Sequence, residues 1–240
     1  MRSEQNFPPR LALYALVPAA GSGSRMARGR PKQYLSLAGR PMLWHAVRAL
    51  CAADVVNVFV VLAPQDGEFS RHDWSEFGGR VEPLFCGGAT RRDSVYNGLV
   101  AASAAVDVDD WMLVHDAARP CLPRADLEAL IAECSADSVG GILALPVADT
   151  VKRAGKDEAG VHRVTTTEDR AQLWLAQTPQ MFRAGLLAQA LRDATGPITD
   201  ESSAIERLGL RPRLVTGSRE NLKVTFAEDF AIAEAILRNR

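Results

Sequence analysis

Apolar runs of strand length alternate along this chain with segments whose apolar residues recur at helical spacing. Leu11–Val17 (LALYALV) predicts a strand. Pro41 opens a helix whose Leu43, Val47 and Leu50 share one face. Val55–Leu62 (VVNVFVVL) is apolar nearly throughout, as a strand buried on both faces of a parallel sheet is. A short strand follows at Val81–Phe85, then a helix from about Asp93 to Val106. Trp111–His115 (WMLVH) predicts the next strand, Pro123 to about Ala136 a helix, and Val139–Leu145 a further strand. Later come helices near Arg183–Ala194 and Asp200–Leu208, strands at Arg213–Thr216 and Leu222–Thr225, and a terminal amphipathic helix from about Ala227 to Leu237. The alternation predicts an α/β fold, a doubly wound and mostly parallel sheet. There is no internal repeat and no linker rich in Pro, Gly or Ser, so residues 1–240 read as one domain.

One segment departs from this pattern. Val151–Arg170 (VKRAGKDEAGVHRVTTTEDR) is polar, with two β-prone runs around a Gly155–Gly160 tip. It predicts a β-hairpin arm over about 149–170 that projects from the body. A solvated ribbon and a dimer-forming arm are both open, the second because an isolated two-stranded ribbon is marginal in water.

Composition narrows the function classes. The chain is 47% hydrophobic and 24% charged, with a formal net charge of −1. No global field draws it to nucleic acid or a membrane surface, so any phosphate site must be a local cluster of cations. No run reaches the ~18 apolar residues of a membrane span. Leu11–Ala20 looks faintly like a signal-peptide core, but Glu4 and Pro8-Pro9 spoil the leader. Cys51, Cys86, Cys121 and Cys134 include no CxxC pair, and His45, His72, His115 and His162 no HxxxH pair. Reduced thiols and a cytoplasmic setting fit best, with no protein metal cage.

The candidate chemistry begins at LVPAAGSGSRM (Leu16–Met26), where a strand ends in small residues and then shows Arg25. Gly21 and Gly23 supply two positions of a dinucleotide fingerprint, but Met26 stands where the third glycine belongs. No GKS or GKT follows, so the P-loop pattern fails as well. What remains is a small-residue turn with Arg25 and, shortly after, Lys32. Two cations at a strand's carboxyl end fit a polyphosphate, and loop amides can form an anion nest. Asp116 follows WMLVH, at the same edge of the sheet. Asp107-Val108-Asp109-Asp110 mimics a DxD metal motif but precedes that strand, and reads as a solvated loop. Thr199-Asp200-Glu201 reads as a helix N-terminus with no catalytic role.

VPAAGSGSRM followed by PKQYLSLAGRPML resembles the nucleotidyltransferases that activate sugar and polyol phosphates. With GGATRRDSVYNGL, VHDAARP, GGILALPVADTVKR, LWLAQTPQMF, TDESSAIERLG and NLKVT in order, the chain resembles, more narrowly, the 2-C-methyl-D-erythritol 4-phosphate cytidylyltransferases over nearly its whole length. The resemblance implies a Rossmann-like nucleotidyltransferase that transfers CMP from CTP to methylerythritol phosphate. The same chemistry on another polyol phosphate, such as ribitol 5-phosphate, is the alternative. It also implies Mg²⁺ carried mainly by the CTP phosphates, and a homodimer whose arm reaches the neighbouring active site. Arg25 and Lys32 match the family's transition-state stabilisers, and Arg170 and Lys223 its residues that position the polyol phosphate. Ala19, Ala20, Gly21 and Gly23 belong to the nucleotide loop. Gly88, Ala89 and Ser94 fall at the base site, where many relatives carry an acidic residue in place of Ala89. Asp116 and Arg119 are expected at substrate hydroxyls, and Thr150 and Thr178 at the polyol-phosphate pocket.

Overall fold

The computed structural model describes residues 11–21 and 31–240. Gly23 and Arg25 lie outside the described residues.

The strands are β1 (Leu13–Pro18), β2 (Ser36–Leu37), β3 (Arg40–Pro41), β4 (Val58–Val61), β5 (Val81–Leu84), β6 (Trp111–Val114), β7 (Gly140–Pro146), β8 (Val151–Lys156), β9 (His162–Glu168), β10 (Trp174–Arg183) and β11 (Arg213–Thr216). The helices are α1 (Met42–Cys51), α2 (Arg91–Ala102), α3 (Arg124–Cys134), α4 (Ala184–Asp193), α5 (Glu201–Glu206) and α6 (Ala227–Arg238). Seven strands form one sheet in the order β11-β7-β10-β6-β1-β4-β5. β1 pairs in parallel with both β4 and β6, so the strand order turns at β1. Ligands in such sheets bind beyond the carboxyl ends at that turn, where adjacent loops part to opposite faces.

Period-two alternation sorts the core into two layers. Ala15, Val17, Val58, Val60 and Leu113 pack with α1 and α3 on one face. Tyr14, Leu16, Phe59, Val61, Met112 and Val114 pack with α2, α4 and α5 on the other. A third, smaller cluster joins Leu37 and Met42 to Cys121, Val224 and Ala233, binding α6 beneath the loops at the carboxyl edge.

Three expectations need correction. β10 is a ten-residue strand that the alternation did not predict, and it runs antiparallel between β6 and β7. Its middle, Gln177-Thr178-Pro179-Gln180, breaks the apolar run, and the register shifts between Ala176 and Gln180. Leu222–Thr225 is not a strand: it is anchored by Val224 N–H donating to the Ala118 carbonyl (2.8 Å) and by burial of Val224. α2 starts at Arg91 rather than Asp93, because Thr90 and Asp93 form a reciprocal capping box. That box puts Arg91 in the first helical turn.

β8 and β9 pair antiparallel as a separate two-stranded sheet, so the predicted hairpin is present. Most of its residues are exposed.

Candidate active site

A cleft of about 540 Å³ opens at the carboxyl ends of β1 and β6. Ala19, Ala20 and Gly21 line it from the loop after β1, and Lys32, Gln33 and Met42 from the next segment. Gly88, Ala89, Thr90, Arg91 and Ser94 come from the β5–α2 connection. Asp116 follows β6, and Lys223 comes from the anchored extended stretch.

Close packing explains the small residues. A Cβ on Gly87 would stand 2.2 Å from the Ala20 Cβ and 2.7 Å from the Leu62 carbonyl oxygen. One on Gly88 would meet Asp93 Cβ at 2.4 Å. The backbone after β5 therefore packs directly on the Ala20 methyl of the loop after β1 and on the Leu62 carbonyl that follows β4, which leaves the Gly88 segment at the cleft wall. The Gly88 N–H donates to Ser94 Oγ (3.1 Å), whose hydroxyl donates to the Thr90 carbonyl (2.9 Å). Gln33, buried, donates to the Ala19 carbonyl (2.6 Å) and ties the loop after β1 to the Lys32 segment. Lys32 donates through Nζ to the Val224 carbonyl.

Asp116 is the hub. Arg91 reaches its Oδ1 through Nε (3.0 Å) and through a terminal guanidinium nitrogen (2.9 Å). Lys223 Nζ lies 2.8 Å from Oδ2, and Arg119 Nε 4.0 Å from the same oxygen. Burial would raise the Asp116 pKa, but Arg91, Lys223 and Arg119 outweigh it and hold the carboxyl well below the usual range. Arg91 is held in turn by Glu201, which it grips with two bonds of 2.6 and 2.9 Å. Burial would lower the Arg91 pKa; Glu201 and Asp116 outweigh it and keep the guanidinium charged.

Behind Asp116 the chain of bonds continues. Its N–H donates to Thr178 Oγ1 (3.0 Å), and Thr178 Oγ1 lies 3.1 Å from His115 Nδ1. The Thr178 hydroxyl proton therefore goes to Nδ1, and Nε2–H of His115 donates to the Arg119 carbonyl (3.0 Å). That is a neutral imidazole with both nitrogens engaged. Burial pushes its pKa down to about 4. Arg119 donates to the Asn221 carbonyl (2.6 Å), and Asn221 Nδ2 to the Thr178 carbonyl (2.8 Å). The irregularity in β10 turns Thr178 toward this cluster.

The structure thus brings Lys32, Lys223 and Asp116 together with Ala19, Ala20, Gly21, Gly88, Ala89 and Ser94. Arg119 and Thr178 are buried behind Asp116 rather than among the cleft-lining side chains. Thr150 and Arg170 are exposed where the hairpin leaves and returns, and neither lines this chain's cleft. Asp110 corrects the solvated-loop reading: it is buried and accepts from the N–H groups of Ala12 (2.8 Å) and Asp107 (2.9 Å). It locks the amino end of the sheet, away from the cleft. Arg91, Gln33, Glu201, His115 and Asn221 were not predicted as site residues. The Thr90–Asp93 capping signature could have placed Arg91; nothing local marks the others.

A family model described as IspD, 2-C-methyl-D-erythritol 4-phosphate cytidylyltransferase, matches residues 13–239. The chain belongs to that family. The cytidylyltransferase of Dechloromonas aromatica is 57% identical over 95% of this chain and 98% of its own length. That of Laribacter hongkongensis is 59% identical over 93% and 95%. A crystal structure of a 4-diphosphocytidyl-2C-methyl-D-erythritol synthase is 40% identical and superposes with a TM-score of 0.81, covering 95% of this chain and 99% of that one. The Francisella tularensis cytidylyltransferase structure is 32% identical, with a TM-score of 0.76 over 94% and 99%. In this chain the cleft lies at the sheet's turning point, with Lys32, Arg91 and Lys223 coming from three separate segments.

Proposed function

We propose that this chain transfers CMP from CTP to 2-C-methyl-D-erythritol 4-phosphate, releasing pyrophosphate, on the non-mevalonate route to isoprenoid precursors. The observation that carries the reading is that Lys32, Arg91 and Lys223 line one cleft of a family member, with Arg91 and Lys223 paired to its Asp116.

The chemistry suits these residues. A phosphate monoester oxygen attacks the α-phosphorus of CTP, a P–O bond forms, and the bond to the departing pyrophosphate breaks. The monoester's second pKa is about 6, so it is already ionised near neutrality and needs no general base. His115, neutral and bonded at both nitrogens, is accordingly a structural group. The barrier lies in bringing two anions together in line, and fixed positive charge and positioning lower it. Lys32, beside the loop after β1, is assigned to the α-phosphate and the leaving pyrophosphate, with Arg25 in the same role. Lys223 is assigned to the acceptor phosphate and Asp116 to substrate hydroxyls.

Magnesium is part of this reading. Among the described residues no group of three or more His, Cys, Asp or Glu side chains could hold a metal, and Asp116 is the carboxylate of the cleft. This donor set fits a hydrated Mg²⁺ carried mainly by the triphosphate, where it would offset charge on the departing phosphates.

A homodimer built through the 149–170 arm and a cytoplasmic setting complete the proposal. The β8–β9 ribbon exposes Val161 and Val164, and the adjoining start of β10 exposes Leu173, Trp174 and Leu175. Such apolar surface favours a protein partner. The four cysteines are unpaired, as reducing compartments keep them. Pyrophosphate release with each of the four nucleoside triphosphates, against methylerythritol 4-phosphate and ribitol 5-phosphate, tests the activity. Turnover confined to CTP and methylerythritol phosphate is expected. Preference for ribitol 5-phosphate, or binding without turnover, overturns the reading.

A further inference from the structure

Glu201 is only 1% exposed, yet it opens α5, the short helix beyond β10 and α4. Burying a carboxylate costs several kcal/mol unless its charge is matched with good geometry. Here the match is the two-pronged grip on Arg91, the arrangement that fixes a guanidinium in both position and plane. The adjacent edge of the same guanidinium, Nε and the shared Nη2, holds Asp116 Oδ1. The helix cap does not need Glu201: Asp200 supplies it, with its carboxylate accepting from the Ser203 N–H (3.0 Å). Asp200 is itself fixed by Gln180 of β10 (2.8 Å), and Gln180 Oε1 accepts from the Ser202 N–H (2.8 Å). The first turn of α5 is therefore bolted to the sheet independently, and Glu201 projects from a rigid mount.

Charge bookkeeping shows what the pair does. Without Arg91, Asp116 faces Lys223 and the more distant Arg119. Lys223, already 2.8 Å from Oδ2, would then be the nearest cation left to balance the whole carboxylate. Arg91, itself neutralised by Glu201, shares Asp116 and leaves Lys223 able to act on a phosphate. We propose that Glu201 is a positioning residue for the transfer reaction. It clamps Arg91, Arg91 orients Asp116, and through Asp116 it sets how far Lys223 is committed inside the cleft. This rests on the cytidylyl-transfer reading of the cleft.

The test is a double-mutant cycle on steady-state kinetics with CTP and methylerythritol 4-phosphate. Wild-type turnover is measured first: its absence overturns the activity reading, and the positioning role that rests on it falls with it. With wild type active, Glu201→Gln and Arg91→Lys are each expected to lower kcat/KM by about tenfold or more, the scale of one charged hydrogen bond lost. The loss falls mainly on KM for the acceptor. The double variant should be no worse than the poorer single one, since both break the same chain. Glu201→Asp should recover part of the loss. Unchanged kinetics in folded Glu201→Gln, or multiplicative losses in the double variant, overturn the proposal. Where Glu201→Gln does not fold, Arg91→Lys carries the test alone, because it keeps the charge and loses the two-pronged grip; unchanged acceptor KM there overturns it.

Discussion

Lys223 Nζ lies 2.8 Å from Asp116 Oδ2, although one residue follows the sixth strand of the chain and the other belongs to an extended stretch just before the last helix. The contact exists because Val224, next to Lys223, is buried and its N–H is bonded to the Ala118 carbonyl. Anchoring one residue aims its neighbour into the cleft. Asp116→Asn should therefore act on both stability and activity. It leaves Arg91 and Arg119 without their shared carboxylate in a buried setting, a loss of about 3 kcal/mol. Denaturant unfolding checks this, and a midpoint equal to wild type would remove Asp116 as the electrostatic hub.

Lys32→Ala is expected to lower kcat by roughly 10²–10³, the scale of removing one preorganised donor from a developing anion. The substitution also removes the bond to the Val224 carbonyl, so denaturant unfolding of the variant is measured alongside its kinetics. A variant turning over at the wild-type rate would take Lys32 out of the chemistry.

Gly87→Ala should open the cleft wall without touching any charged group. The new methyl would meet the Ala20 Cβ and a backbone carbonyl, neither of which can swing aside. Overpacking of this kind costs about 1–3 kcal/mol. A lowered melting temperature with raised KM for CTP is expected; unchanged values of both would show that the two loops yield.

Arg170 is exposed and outside this chain's cleft, as a residue serving a partner's site would be. If sites are shared across a dimer, mixing inactive Lys32→Ala and Arg170→Ala subunits gives mixed dimers with one intact site. Random mixing then restores about a quarter of wild-type activity. No recovery after verified subunit exchange would argue against shared sites.

His115 makes stability pH-dependent in a defined window. Its folded pKa is about 4 against an ordinary 6.5. Below pH 6.5 the unfolded chain binds a proton that the folded chain refuses, so stability falls as pH drops toward 4, by about 3 kcal/mol. Asp116, whose pKa is depressed, loses its contribution only at lower pH, once unfolded carboxylates protonate near ~3.9. Unfolding curves at pH 7, 5.5 and 4.5 should show this slope in wild type and a flatter one in His115→Asn. Equal slopes would place the acid sensitivity elsewhere.

Most of the architecture was legible in the order of residues. Apolar runs such as WMLVH and VVNVFVVL commit to strands, and Leu43, Val47 and Leu50 to a helix face, because burial acts on local periodicity. The loops at the carboxyl ends of β1 and β6 could be named before any coordinates, as could Lys32 and Asp116. β10 could not, because Gln177-Thr178-Pro179-Gln180 interrupts the alternation and its pairing partners lie far away in the chain. Nor could the partners of Asp116. Arg91 and Lys223 meet it, and Glu201 meets Arg91, only once three separate connections are folded over the same sheet edge. Local preference is a property of neighbours in sequence, whereas an ion pair between distant segments depends on where the sheet, its twist and its packed helices set each backbone.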